Sequence, residues 1–318
     1  MAKGKPRVLA TRHFPPDVEA RLATNFDAVL NPQDKLYDGT RLAEASRGCD
    51  AIMCAAGDPL NTETIGKLAD TVKMIATFSV GYEHVDVAAA AKRGIRVSNT
   101  PDVLTDATAD ITLLCLLGAA RRAHEGTTML RTHSWVGWEP TQLMGVHVTG
   151  KRLGILGMGR IGEAIAKRAE AFGMKIRYHN RSKKALAYAY DASPVELARH
   201  SDCLMVATPG GAETAKIINA AVLDALGPRG YLVNISRGST VDEPVLLRYL
   251  QEKRIAGAGL DVFLAEPNVN PAFFALPNAV IYPHVGSASH ETRFAMGMLQ
   301  VNNLRAHFGG KPVLTRVV

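Results

Sequence analysis

The chain is poor in cysteine and has no Cys-x-x-Cys pair. Cys49, Cys54, Cys115 and Cys203 stand apart, each in or beside an apolar stretch. This spacing suits neither a disulfide framework nor a thiolate metal motif, and it predicts reduced, buried thiols in a cytoplasmic protein. No apolar run is long enough to span a bilayer, so no membrane contact is expected. The N-terminal Met1-Ala-Lys-Gly-Lys-Pro-Arg7 lacks the apolar core of a secretory signal and leads into a strand at Val8-Leu9. There is no internal repeat and no low-complexity tract. The basic excess, +7 overall, is spread along the chain, with no basic arm for nucleic acid; a mild positive field also suits anionic ligands. The histidines show no ligand spacing, so no metal site is expected.

What is present is an ordinary globular composition, 47% hydrophobic and 21% charged over 318 residues, long enough for two domains. Short apolar runs alternate with amphipathic stretches, the α/β pattern. Strand candidates in the first third are Arg7–Ala10, Ala28–Leu30, Ala51–Ala55, Met74–Phe78 and Arg96–Ser98, with helix candidates at Pro16–Ala23, Asp38–Ala45 and Thr62–Leu68. Together they predict a flavodoxin-like unit. From Leu104 to Arg122 runs a helix candidate that is apolar nearly all round, which predicts burial; a subunit interface is one place for it. A second set of strands follows at Arg152–Leu156, Lys175–His179, Cys203–Thr208, Tyr231–Ile235, Ala258–Val262 and Ala279–Tyr282, enough for a doubly wound sheet. A helix pattern at Ser289–Phe308 closes the chain. The expected fold is α/β with two Rossmann-like/flavodoxin-like domains, parallel sheets and an active site in the interdomain cleft. Residues 1–100 plus 286–318 would form the substrate domain, and 101–285 the dinucleotide-binding domain. The loop Arg131–Gly150 holds Trp135 and Trp138, the only tryptophans; it reads equally as a partner-facing arm or a local packing cluster.

The segment Arg152-Leu-Gly-Ile-Leu-Gly-Met-Gly-Arg-Ile-Gly162 runs from a strand through Gly157-x-Gly159-x-x-Gly162 into a helix with Ile161, Ile165 and Ala169 on one face. Gly157 suits a tight turn, Gly159 the close approach of a pyrophosphate, and Gly162 close helix–strand packing. The helix start offers unpaired N–H groups to phosphate. The next strand ends where a ribose would sit, about 20 residues on, and an NAD site usually has Asp or Glu there. Here the acid is missing and Asn180-Arg181-Ser182-Lys183-Lys184 replaces it. Arg181 and Ser182 would hold a 2′-phosphate by charge-assisted hydrogen bonds, with Asn180 as the neutral replacement. This predicts NADPH as cofactor, with NADH as the weaker alternative. A solvated basic loop is the plainer reading of the same residues.

Three more residues follow, each at a strand end: Arg237 in Asn234-Ile-Ser-Arg-Gly238, Glu266 in Gly259-Leu-Asp-Val-Phe-Leu-Ala-Glu-Pro267, and His284 in Tyr282-Pro-His-Val-Gly-Ser-Ala288. In an open α/β sheet, ligands bind beyond the carboxyl ends of the strands, so these can converge. Singly they read as an ion-pair residue, a solvated turn and a core histidine. As an ordered set with the glycine motif, with Phe78-Ser-Val-Gly-Tyr-Glu-His-Val-Asp86 and with Asn99-Thr-Pro-Asp-Val-Leu-Thr-Asp-Ala-Thr-Ala-Asp110, they resemble the D-isomer-specific 2-hydroxyacid dehydrogenases over nearly the whole chain. Within that family the chain looks most like the glyoxylate/hydroxypyruvate reductase branch.

The resemblance implies roles. Arg237 would bind the substrate carboxylate and polarise the keto oxygen. His284 would donate a proton to that oxygen, and Glu266 would pair with His284. The amides of Val80 and Gly81 would hold the carboxylate's other side, assisted by Ser79. The amides of Arg160 and Ile161 would meet the pyrophosphate and Thr108 the phosphate region. Ala207, Thr208 and Pro209 would line the adenosine side. Ile235, Asp261 and Gly286 would lie at the nicotinamide end. Trp138 in some relatives reaches into the neighbouring subunit's active site, and the family is usually homodimeric. The implied activity is NADPH-dependent reduction of small 2-keto acids to 2-hydroxy acids. A sugar-acid reductase acting on 2-ketogluconate, an NAD-linked D-hydroxyacid dehydrogenase and a non-catalytic dinucleotide-sensing co-regulator stand as alternatives.

Overall fold

A computed structural model describes residues 4–318, so the first three residues of the N-terminal segment read above lie outside it. The chain forms two compact units. One runs to Leu104 and resumes over Ala288–Val318; the other is Thr105–Ser287.

The first unit is built on β1 (Arg7–Ala10), β2 (Asp27–Val29), β3 (Ala51–Ala55), β4 (Met74–Phe78) and β5 (Arg96–Ser98). They form a parallel sheet in the order β2-β1-β3-β4-β5, the flavodoxin-like winding. Strands buried on both faces are largely apolar, and alternate residues supply two separate cores. Leu9, Ile52, Ile75 and Val97 face one side with Leu42 and Ile65. Val8, Ala10, Met53, Met74 and Ala76 face the other with Val18, Leu22, Val301 and Leu304. The helix Pro16–Asn25 starts with proline and acidic residues, as a positive helix end favours. The helix His290–Phe308 starts on a Ser289 cap. Its buried Gln300 donates through Nε2 to the carbonyls of Cys54 and Ala76, tying the helix to β3 and β4. The edge strand β5 is covered by the chain's last residues, where Val317 N–H donates to Val97 O and Arg316 forms an antiparallel bridge with Ser98, which protects an exposed edge.

The second unit carries β6 (Arg152–Leu156), β7 (Lys175–His179), β8 (Ala189–Tyr190), β9 (Cys203–Val206), β10 (Tyr231–Asn234), β11 (Gly257–Leu260) and β12 (Ala279–Ile281). They form a parallel sheet ordered β12-β11-β10-β9-β6-β7-β8. With β6 as first strand this is the dinucleotide-fold winding extended by one strand, with its crossover point between β6 and β9. One face packs on the helices Thr105–Ala120 and Arg160–Ala171 through Leu113, Leu116, Ile155, Ile165, Met205 and Val233. The other packs through Leu204, Leu232 and Leu260 on Leu197, Leu223 and Leu246. The apolar helix after Leu104 is thus buried on its own sheet, with Leu114 alone among its large side chains strongly exposed. All four cysteines are free and buried, and burial holds the Cys115 and Cys203 thiols up at about 12, far from thiolate reactivity. No helix of the described residues is long and apolar enough to cross a membrane.

The expected local packing cluster of tryptophans is not found. Trp135 and Trp138 are 49% and 79% exposed, after a helix at Ala123–Arg131 that has no buried residue.

Candidate active site

The glycine loop shows three distinct constraints. Gly157 has φ +101°, and a Cβ there would lie 2.7 Å from the Thr208 backbone nitrogen. A Cβ on Gly162 would overlap the Gly157 carbonyl oxygen, so the helix Arg160–Ala171 sits as close to the loop as a missing side chain permits. Gly159 faces open space and begins the helix without a side-chain cap. Beside the loop, at the end of β9, the Thr208 hydroxyl is buried without a hydrogen-bond partner. Its backbone is fixed because Ser236 Oγ donates to Thr208 O. A helix start with no side-chain cap, a cradle left open at Gly159 and an orphaned hydroxyl fit a pyrophosphate-bearing dinucleotide.

At the end of β7 the structure gives Asn180 a further contact. Its Oδ1 accepts the Met158 N–H at 2.7 Å, so it anchors the glycine loop as well as removing a negative charge. Lys184 is also committed, to Met158 O at 3.0 Å and to Glu163. Arg181, Ser182 and Lys183 remain on the surface. The Arg181 guanidinium is 90% exposed and lies 3.0 Å from Glu213 Oε2. No spacing rule signals that partner, a lone acid beyond the turn at Gly211.

The ends of β10, β11 and β12 carry the remaining groups. Arg237 follows β10 in a pinned turn. Its carbonyl accepts from Asn234 Nδ2 at 3.0 Å and from Thr240 Oγ1 at 2.6 Å, and its own Nη1 donates to Ser236 O. Glu266 Oε1 accepts the Phe263 N–H at 2.8 Å, and Oε2 lies 2.6 Å from His284 Nδ1. Burial raises the Glu266 carboxyl, but the His284 hydrogen bond, the Phe263 amide and the charges of His284 and Arg237 outweigh it, and the group sits below its ordinary value. Ionised Glu266 is acceptor-only, so His284 Nδ1 carries the hydrogen. In the imidazolium form Nε2 then carries the second proton. His284 itself has φ +54°. The residues after it are held from below: Asp261, 1% exposed, accepts Val285 N–H at 2.8 Å and Gly286 N–H at 2.7 Å. Burial raises the Asp261 carboxyl, opposed by those amides and by His284. A Cβ on Gly286 would also come within 3.7 Å of the Thr108 methyl group, so Thr108, Asp261 and Gly286 meet. Ile235 is buried, Ala207 partly so, and Pro209 exposed.

In the first unit, the turn after β4 has every carbonyl tied. Ser79 O accepts Thr100 N–H at 2.8 Å, Val80 O accepts Asn99 Nδ2 at 2.8 Å, and Gly81 O accepts Ser79 Oγ at 2.6 Å. Among the described residues nothing accepts from the N–H of Val80 or Gly81. Successive amides left without an acceptor in a turn are the kind of feature that can take an anion. No cluster of three or more His, Cys, Asp or Glu side chains among the described residues is placed to hold a metal.

The chain matches known proteins along its whole length. Residues 113–286 match the family described as D-isomer specific 2-hydroxyacid dehydrogenase, NAD binding domain. A glyoxylate reductase of Thermococcus litoralis is 41% identical over 315 residues, 96% of this chain and 95% of the relative. A hydroxyphenylpyruvate reductase of Plectranthus scutellarioides is 50% identical over 248 residues, 78% and 79% of the two chains. Among solved structures, an NADPH-dependent glyoxylate/hydroxypyruvate reductase of Sinorhizobium meliloti, in complex with NADP and malonate, superposes with TM-score 0.88 at 41% identity, covering 99% of this chain and 97% of that one.

Proposed function

The chain belongs to the D-isomer-specific 2-hydroxyacid dehydrogenase family, and from that premise we propose that it reduces small 2-keto acids, glyoxylate and hydroxypyruvate, with NADPH. The observation that carries this reading is the Glu266–His284 pair at 2.6 Å, in a carboxylate environment that also feels Arg237. A cation and an acid–base imidazole together suit a reaction in which negative charge grows on a keto oxygen.

Bound NADPH supplies the hydride; the residues of this chain supply binding, orientation and the proton. The pyrophosphate is assigned to the amides of Arg160 and Ile161, and the 2′-phosphate to Arg181 and Ser182. Arg237 holds the substrate carboxylate and polarises the keto oxygen. His284 gives its Nε2 proton to that oxygen, and Glu266 keeps Nδ1–H in place. The Val80 and Gly81 amides are assigned to the carboxylate. Four buried free thiols support a reducing, cytoplasmic setting. Leu130, Trp135, Val136, Trp138 and Met144, exposed in one stretch of chain, support a homodimer formed through that arm.

The test is a panel of glyoxylate, hydroxypyruvate, 2-ketogluconate and hydroxyphenylpyruvate with NADPH and with NADH. The reading expects the highest kcat/KM with a two- or three-carbon keto acid and NADPH. No turnover with any of them, despite dinucleotide binding, would favour a sensor.

A further inference from the structure

The turn after β4 is held by a buried polar chain whose direction is determined. Thr77 is fully buried and Ser79 is 8% exposed. Ser79 Oγ lies 2.6 Å from Gly81 O, an atom that only accepts, so the Ser79 hydrogen is committed there. Thr77 Oγ1 is 2.9 Å from Ser79 Oγ, and the Thr77 hydroxyl must therefore be the donor. Thr77 Oγ1 is also 2.9 Å from His84 Nε2. With the one Thr77 hydrogen already placed, Nε2 must bear the hydrogen of that contact. The chain runs one way only: His84 Nε2–H to Thr77, Thr77 to Ser79, Ser79 to the Gly81 carbonyl.

A trans peptide points its N–H away from the carbonyl of the preceding residue. Thr100 therefore sets the Val80 N–H, and Asn99 sets the Gly81 N–H. The chain from His84 sets the third amide, Tyr82 N–H, through Gly81 O. We infer that His84 is a positioning residue for the substrate carboxylate, acting through Thr77 and Ser79 to hold the Gly81–Tyr82 peptide so that the turn presents N–H and no carbonyl. This rests on the proposed reading that the Val80 and Gly81 amides take a keto acid's carboxylate, and it extends that site by one amide and one remote histidine.

The experiment compares His84→Leu with His84→Gln, whose amide places an N–H donor where Nε2 stands. Oxalate serves as an inhibitor that needs no chemistry. His84→Leu raises the KM of glyoxylate and the Ki of oxalate together by about tenfold, while kcat and the KM of NADPH stay within about twofold. His84→Gln restores both. In a Thr77→Val background His84→Leu adds nothing, because one chain has been cut twice. Unchanged KM and Ki in His84→Leu, or additive losses in the double variant, overturn the inference. A wild-type protein that neither turns over a keto acid nor binds oxalate overturns the underlying reading instead. If His84→Leu does not fold, ring ¹⁵N shifts of the wild type decide: hydrogen on Nε2 supports the chain, and hydrogen on Nδ1 alone breaks it.

Discussion

Glu266 grips His284 with one oxygen and its own loop with the other: Oε2 is 2.6 Å from Nδ1 while Oε1 takes the Phe263 N–H at 2.8 Å. The carboxylate is therefore fixed before it orients the imidazole, and it cannot swing away without leaving a buried amide unpaired. Loop geometry at the end of β11 thus determines which nitrogen of a residue beyond β12 faces outward.

Glu266→Gln keeps the volume but presents an N–H or a neutral oxygen to Nδ1. The expected loss in kcat is about a hundredfold, with dinucleotide affinity unchanged, measured by steady-state kinetics and fluorescence titration. Stability changes as well, with a definite sign. The Glu266 carboxyl is lowered in the folded state, so its contribution is present above the ordinary carboxylate value and is lost as pH falls through the lowered one. The Tm difference between wild type and Glu266→Gln narrows on acidification; a gap that widens contradicts the pairing.

Asp261 is the support under the His284 loop. Asp261→Asn leaves one oxygen for two N–H groups and turns an amide hydrogen toward the other. The expected outcome is a Tm lower by several degrees and kcat reduced by about tenfold or more. A variant with wild-type kcat would show that the loop holds His284 without this carboxylate.

Under the proposed function, Arg181 is the residue expected to distinguish the two cofactors. Its exposed pairing with Glu213 contributes little to stability, so Arg181→Ala leaves Tm unchanged. The kcat/KM for NADPH falls by about ten- to a hundredfold and that for NADH by less than about twofold. Equal losses with both cofactors remove Arg181 from the 2′-phosphate site.

Much of the architecture was legible because the parallel strands read as short, largely apolar runs. Arg7–Ala10, Ala51–Ala55, Met74–Phe78, Arg152–Leu156 and Lys175–His179 begin and end where their patterns do. The two-residue β8 was not legible, since a strand that short has no period. The helices Pro194–Arg199, Ala220–Leu226 and Glu243–Gln251 are short, with few turns to show a period, although Ser193 and Asn219 cap the first two. The packing constraints on Gly157 and Gly162 could be read because each answers to backbone close by. Contacts between distant loops could not: nothing in the spelling of Asn180 announces the Met158 amide, nor in His84 the hydroxyl of Thr77. Those depend on which strand ends the winding places together.

His284→Ala, assayed by NADPH oxidation with glyoxylate beside a direct titration of NADPH binding, tests the account at its centre. In this variant kcat is expected to fall by about a thousandfold or more while the NADPH Kd stays within about twofold. A variant that still reduces glyoxylate at a rate near wild type would contradict it.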